Sequence, residues 1–598
     1  MITHRIGVED PKAHLFRVSL TVPRPAAEQR LSLPVWIPGS YMVREFARHL
    51  SGLEARQGTR HVLLKQVDKT TWVAPCTSRA ALTLSYLVYA FDSSVRAAYL
   101  DAQRGFFNGT SVFLRAEGFE REPQRLVLRN LPRGWQVATT LAALAVDGAG
   151  KGSYQAADYD ELVDHPVELG KFWRGKFKAF EIPHEIVIAG AFPDFDSGRL
   201  LADTKALCER EIAFWHAATR RPAGKAMVKS APPFKRYVFL LNAVDEGHGG
   251  LEHRSSTALL ASRRQLPQRG QAQPARSDGY VSLLGLIAHE YFHSWNVKRL
   301  RPTEFRTFDY ARENYTELLW FFEGFTSYYD DLTLVRSRLI DASRYLTLLA
   351  RTINSVQATP GRHVQSVAQS SFDAWVKYYR VDENTPNATI SYYAKGSLVA
   401  LALDLTLRIS GKGTLDDVLR HLWNASGGGP ISRSDIAAAL RAVGGRSFEK
   451  ELAAWVDGVV ELPLQALLRR FGIEAQVQPA TLAQRLGIRV SESALTGVKV
   501  THVLRGGAAE SAGLAASDEI LALGSWRLRR LEDAARLLVP GAAAAILVAR
   551  DQRILSLRLI APAPVDKPAG ATGTAITLGI ASKAPRTAQA LRQAWLDG

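Results

Sequence analysis

Leu286-Ile-Ala-His-Glu-Tyr-Phe-His-Ser-Trp-Asn296 carries His289, Glu290 and His293 in the order HExxH. A mostly apolar run without proline, Val281 to Ala288, precedes the first histidine. That pattern predicts a buried helix. Residues four apart lie on one helix face, so both imidazoles can aim at one point. Neutral imidazole is a good zinc ligand, and two at this spacing supply half of a tetrahedral site. Glu290, one residue past the first histidine, can reach the attacking water without ligating the metal, as a general base must.

A catalytic zinc site needs a third protein ligand and an open position. No third histidine follows closely, so HExxHxxGxxH is absent. A carboxylate is the alternative, from Glu304, Glu313, Glu317 or Glu323. Glu323 stands in Leu319-Trp-Phe-Phe-Glu-Gly-Phe-Thr-Ser-Tyr328, 30 residues after His293. A carboxylate among aromatics is costly unless paired or metal-bound, which favours Glu323.

Upstream, residues 1 to about 170 read as strands. His14 to Val22 and Leu82 to Tyr89 alternate apolar and polar residues, which suggests an antiparallel sandwich or saddle. Leu33-Pro-Val-Trp-Ile-Pro-Gly-Ser-Tyr-Met-Val-Arg44 reads as a fixed loop, with Tyr41 and Arg44 more suited to packing than to binding. Glu185–Ala189 and Arg236–Asn242 are strands and Leu200–Ala217 a helix; a Gln-, Arg- and Pro-rich loop spans Arg263 to Arg276. Downstream, helices are expected over Asn314–Leu334, Asp341–Ala358, Tyr392–Ile409 and Ser434–Val443, so the catalytic part is α+β. From about 465 the composition turns to Ala, Gly, Val and Leu, and the last thirty or so residues suggest a loose tail.

The chain has 598 residues, enough for several domains. Its net charge of +17 comes from scattered Lys and Arg with no basic run interleaved with aromatics, so no nucleic-acid role is expected. No run approaches the roughly eighteen apolar residues of a membrane helix. The start, MITHRIGVEDPKAHLFRV, lacks a leader pattern, and Cys76 and Cys208 are too few for a disulfide framework. A cytoplasmic, membrane-free protein is the expectation.

HEYFH-S-W-N, W-F-F-E-G-F, P-V-W-I-P-G-S-Y, G-G-L-E-H and Y-Y-A-K-G together resemble the glycyl aminopeptidase family of gluzincin zinc metallopeptidases, which carries a PDZ domain after its catalytic domain. The resemblance covers nearly the whole chain. It implies an N-terminal β domain over 1–172, a thermolysin-like catalytic domain over 173–464, a PDZ domain over 465–564 and a tail over 565–598. It implies one zinc ion on His289, His293 and Glu323, with Glu290 as general base. Tyr393, with Tyr392 as runner-up, matches the tyrosine that stabilises the oxyanion. Gly249, Gly250 and Glu252 match the edge strand whose glycines admit substrate backbone and whose carboxylate pairs with a free amino terminus. In many relatives Asn follows that Glu; here it is His253. In the PDZ module, Arg485-Leu-Gly-Ile488 would be the loop that receives a terminal carboxylate, and a C-terminal peptide is an expected partner.

The implied function is a zinc aminopeptidase acting on peptides with a free N-terminus and a small first residue, Gly or Ala. Two rivals stay open: an endopeptidase of the same fold with PDZ-recruited substrates, and a non-catalytic PDZ scaffold.

Overall fold

The computed structural model describes residues 1–216, 219–220, 226–227, 231–270, 276–562 and 575–598. Of the expected elements, Ala217, residues 271–275 of the Gln-, Arg- and Pro-rich loop, and residues 565–574 of the tail lie outside the described residues. The chain forms two compact units. One comprises Met1–Tyr315, Ser337–Ile340 and Trp423–Ile431; the other comprises Thr316–Arg336, Asp341–Leu422 and Ser432–Gly598.

The first unit begins as a β domain. Leu82–Tyr89 buries every second side chain, as its alternation requires, and pairs antiparallel with Leu15–Val22 from Leu15 opposite Tyr89 to Val22 opposite Leu82. These strands lie inside an eight-stranded sheet. Phe16, Val18, Leu20, Leu84 and Tyr86 share one core with Phe106, Phe107, Phe113 and Leu114, which belong to other segments of the domain. The sheet is not wholly antiparallel: Ile2–Asp10 runs parallel to Gln124–Arg129. A parallel pair needs a long crossover, and the strands between the two supply it.

A second, five-stranded sheet follows, in the order Trp173–Ala179, Ile182–Ala189, Tyr237–Val244, Ser256–Ser262, His248–Glu252. Tyr237–Val244 is parallel to both neighbours and nearly all buried, as a near-continuous apolar run predicts. Among the described residues, His248–Glu252 pairs on one side only and is an edge. The helix Asp278–Phe292 packs against that edge strand and its neighbour. Ser277 caps it, accepting a hydrogen bond from the Tyr280 N–H.

In the second unit the helices run Leu319–Arg336, Ala342–Gln357, Ala394–Ser410 and Arg433–Gly444; the last three lie within two residues of expectation, while the first begins at Leu319 rather than Asn314. Leu319–Arg336 and Ala394–Ser410 pack closely because two glycines meet. A Cβ on Gly324 would lie 2.6 Å from the backbone of Gly396. Further on, Ile488–Ser493, Gly497–Val503, Glu519–Leu523, Ala543–Arg550 and Arg553–Ile560 form a sheet around Ile488, Val498, Val500, Ile520 and Val548. Asn387 fastens this sheet to the helical part: its side-chain amide donates to the Val503 carbonyl and accepts from the Arg505 N–H.

Two expectations are corrected. The described end of the chain is not a loose tail. Ile576–Ile580 pairs antiparallel with Ile473–Val477, and Arg586–Asp597 is a helix. Trp595 is fully buried, donating from its indole to Tyr328 Oη, while its carbonyl accepts from Arg336. Aromatic burial outweighs the low-complexity composition around it. The stretch Arg485–Ile488 is also no open loop. Leu482–Leu486 is a short helix ended by Gly487, and the N–H groups of Arg485 and Gly487 donate to Thr481 and Gln484 carbonyls. Those two donors are therefore used within the turn. Among the described residues, no helix is long and apolar enough to cross a membrane, and both cysteines are free thiols.

Candidate metal centre

His289 and Glu290 occupy the last turn of Asp278–Phe292, and His293 is its C-cap. Leu283, Leu284, Ile287 and Ala288 bury the opposite positions, which fixes the rotation of the helix. His293 is buried and His289 half-buried. Their Nε2 atoms stand 3.1 Å apart. Two nitrogens each about 2.05 Å from one zinc ion at a tetrahedral angle would stand about 3.3 Å apart. The spacing therefore fits a shared ion.

The tautomer fits too. His293 Nδ1 lies 2.8 Å from the Asn296 carbonyl, which can only accept, so Nδ1 carries the proton and Nε2 keeps its lone pair. The turn that brings this carbonyl round is tight: Val297 sits at φ 103°, a conformation β-branched residues rarely adopt. The S-W-N-V segment after HExxH thus orients the second ligand.

Glu323 lies on Leu319–Arg336, 2% exposed among Trp320, Phe322 and Phe325. His289, His293 and Glu323 offer ligand atoms that all lie within 4.8 Å of one another. Two imidazoles and a carboxylate form a donor set that could hold a divalent metal ion.

Glu290 is buried, and Gly250 on the edge strand makes room for it: a Cβ on Gly250 would overlap the Glu290 carboxyl. Gly249 opens differently, with its nearest neighbour the Arg96 guanidinium 3.8 Å from a Cβ position. Glu252 ends the same strand, 4% exposed, against the P-G-S loop: a Cβ on Gly39 would lie 2.5 Å from both Glu252 oxygens. Gly39 has φ +93°, so glycine suits it twice over. Tyr41 of that loop is buried and stacks on Phe305, and Arg44 donates to Ser40 Oγ.

Behind Glu252 lies a charged network that sequence reasoning missed. Lys298 donates to Asp164 at 2.6 Å, the Arg254 N–H donates to the same carboxylate at 3.0 Å, and His253 faces it at 3.5 Å. Arg254 also pairs with Asp160, which accepts from Tyr310. Burial pushes the Asp164 carboxyl up, but Lys298, His253 and Arg254 together hold it well below the usual range. His253 thus faces a buried ion pair and is itself 1% exposed. The one available signal was Lys298, a basic residue close behind an apolar helix; its partner lies 134 residues away.

Tyr393 precedes Ala394–Ser410 and is half-buried, whereas Tyr392 is fully buried. Tyr393 stacks with Tyr378 and Tyr392, and its hydroxyl lies 3.4 Å from that of Tyr379. Burial first, then the Glu323 charge, raises its pKa well above the usual phenol value. It therefore stays a neutral hydroxyl, able to donate.

The family patterns agree with this geometry. The Peptidase M61 N-terminal domain matches residues 3–171, the M61 glycyl aminopeptidase residues 282–399 and the PDZ domain residues 474–541. No curated protein matches the chain. Among solved structures, an aminopeptidase N family protein from Idiomarina loihiensis is 36% identical over 100% of both chains, with a TM-score of 0.90. The M1 zinc metallopeptidase of Deinococcus radiodurans is 15% identical, over 77% of this chain and 94% of that one, with a TM-score of 0.46. The full-length likeness, the three matched patterns and the two histidines poised on one helix lead to one conclusion: the chain is a peptidase of the M61 glycyl aminopeptidase family, with a PDZ domain in its C-terminal part.

Proposed function

We propose that the protein is a zinc-dependent aminopeptidase that removes a small first residue, Gly or Ala, from peptides with a free amino terminus. The observation that carries this is the convergence of His289, His293 and Glu323 ligand atoms within 4.8 Å, with Glu290 one residue past the first ligand. One zinc ion held there would supply Lewis acidity, polarising the scissile carbonyl and acidifying water. Glu290 accepts a proton from the attacking water and returns it to the leaving amine. Tyr393 donates a hydrogen bond to the developing oxyanion; its partial exposure favours it over the fully buried Tyr392. The edge strand His248–Glu252 offers its unpaired side to substrate backbone, with Gly249 and Gly250 keeping it clear. Glu252 pairs with the substrate ammonium. A buried carboxylate in that role disfavours a neutral internal peptide, which would leave it without its partner. The nearness of Gly39 to Glu252 supports a small first residue, because the loop already fills space beside the carboxylate. The division at 172, 464 and 564 belongs to this reading, as does a peptide end as ligand of the PDZ domain.

Free and N-acetylated Gly, Ala and Leu anilides, assayed with and without a chelator, test the proposal. Chelator-sensitive cleavage of free Gly and Ala substrates is expected. Cleavage of acetylated peptides would move the protein to the endopeptidase reading. Glu290→Gln should keep its metal, measured by elemental analysis, and lose activity by about a thousandfold.

A further inference from the structure

The second unit contains a cavity of about 540 Å³ that the peptidase reading does not use. Its walls come from the helices Ala342–Gln357 and Ala394–Ser410, the short helix Leu464–Arg470, and the strands Ile473–Val477 and Ile576–Ile580. That volume is typical of small-molecule sites, which are mostly apolar with a few placed polar groups. Here Ile353, Val356, Leu398, Leu464 and Leu468 supply the apolar wall.

Among the polar residues of the lining, Lys395 and Arg362 are buried, at 4% and 5% exposed. The Lys395 ammonium makes, among the described residues, one hydrogen bond, a 3.3 Å donation to the Arg362 carbonyl, and no ion pair. The nearby carboxylate, Glu461, is engaged elsewhere, at 2.8 Å from Arg362 Nε and 3.4 Å from His363. Arg362 in turn donates to Glu461 and to the Gln357 and Thr359 carbonyls. Lys395 is therefore a cation taken out of water with its donors largely unspent, at the wall of an open cavity. Such a group is costly unless an anion joins it. Burial pushes its pKa below the usual lysine value.

We propose that this cavity binds a small amphipathic carboxylate, with the acid group on Lys395 and the apolar body against Ile353, Leu398 and Leu468. Arg362, the other buried cation of the lining, is already paired with Glu461, so Lys395 is left to match one negative charge; a dianion would leave a buried charge uncompensated. The carboxylate can come from a fatty acid or from the C-terminal end of a peptide, which share this chemistry.

Calorimetry on the full-length protein tests the site without reference to catalysis. Octanoate and 1-octanol share an apolar body and differ in charge. Octanoate is expected to bind about tenfold more tightly than 1-octanol, and Lys395→Met is expected to remove that preference. The variant exchanges a buried ammonium for an apolar chain of similar length, a change that stability tolerates. Leu464→Trp, which fills the cavity from the short helix, is expected to weaken both ligands about tenfold and guards against a folding defect in the first variant. N-acetyl-Ala-Leu and its C-terminal amide separate the sources. Competition with octanoate by the acid alone assigns the site to peptide ends; octanoate binding without competition assigns it to fatty acids. Equal affinity of octanoate and 1-octanol in the unmodified protein would overturn the proposal. So would octanoate binding that neither substitution weakens, or no octanoate binding at all.

Discussion

Two pairs of glycines in this molecule sit under the same steric pressure for opposite reasons. Gly39 and Gly250 face carboxylates: a Cβ on either would press on the Glu252 or the Glu290 side chain. Gly324 and Gly396 face each other's backbone, where two helices touch. A side chain can swing away from an intruding methyl; a helix backbone cannot without moving its whole element. On the proposed mechanism the first pair shapes chemistry and the second holds scaffold. Substituting each should separate activity from stability.

The largest effect is expected at Gly250. Its Cβ would collide with Glu290 as far back as Cγ, so the carboxyl must leave its position and not merely tilt. Gly250→Ala should lower kcat by a hundredfold or more, approaching the loss in Glu290→Gln, because general-base catalysis contributes roughly 10²–10⁴-fold. Its edge strand pairs on one side only, so the melting temperature should change little. A variant with normal kcat would mean that Glu290 is not the base or does not need this placement.

Next comes the scaffold seen from its far end. Trp595 lies against the helix that bears Glu323 and bonds to Tyr328 on it. Trp595→Ala should cost about 3–5 kcal/mol of stability, the usual range for a buried tryptophan. Denaturant unfolding measures it. A loss under about 1 kcal/mol would return the chain end to the role of an appendage.

Gly396→Ala should be milder. The two helices must part by a few tenths of an ångström or more, and overpacking of this kind costs typically about 1–3 kcal/mol. Activity per folded molecule should hold once the metal is bound. If kcat fell while the melting temperature stayed put, the contrast between the two glycine pairs would fail, because Gly396 would then act on the site.

How much of this was readable beforehand follows the same division. The HExxH helix was legible because period 3.6 and an apolar run act over ten residues of sequence. Glu323 stood out because a carboxylate among tryptophan and phenylalanines contradicts its surroundings. The helices of the second unit were legible for the same local reasons. What joins distant segments was not: Gly39 meets Glu252 across more than two hundred positions, and Asp164 collects Lys298, His253 and Arg254 from two separate stretches. The chain end misled because its Pro, Ala, Gly and Thr content outvoted one tryptophan whose burial decides its structure. The parallel pairing of Ile2–Asp10 with Gln124–Arg129 left no mark either, since alternation is the same in both directions.

Gly39→Ala is the finest test of the comparison. Its Cβ meets the two oxygens and the Cδ of Glu252, the far end of a flexible side chain. Glu252 can yield, so the protein should fold with a modest loss of stability, on the order of 1–2 kcal/mol, from a left-handed conformation that alanine dislikes. The displaced carboxylate would then hold a substrate ammonium less well. KM for a free Gly anilide should rise about tenfold, or ~1.4 kcal/mol, with kcat nearly kept, since the interaction serves ground state and transition state alike. N-acetylglycine anilide, added as a competitor rather than as a substrate, reports the other side. Its inhibition constant should not rise, because it has no ammonium to lose. An equal loss of affinity for the free and the acetylated anilide would detach Glu252 from the amino terminus and leave the glycine as a purely structural turn residue, on the scaffold side of the contrast.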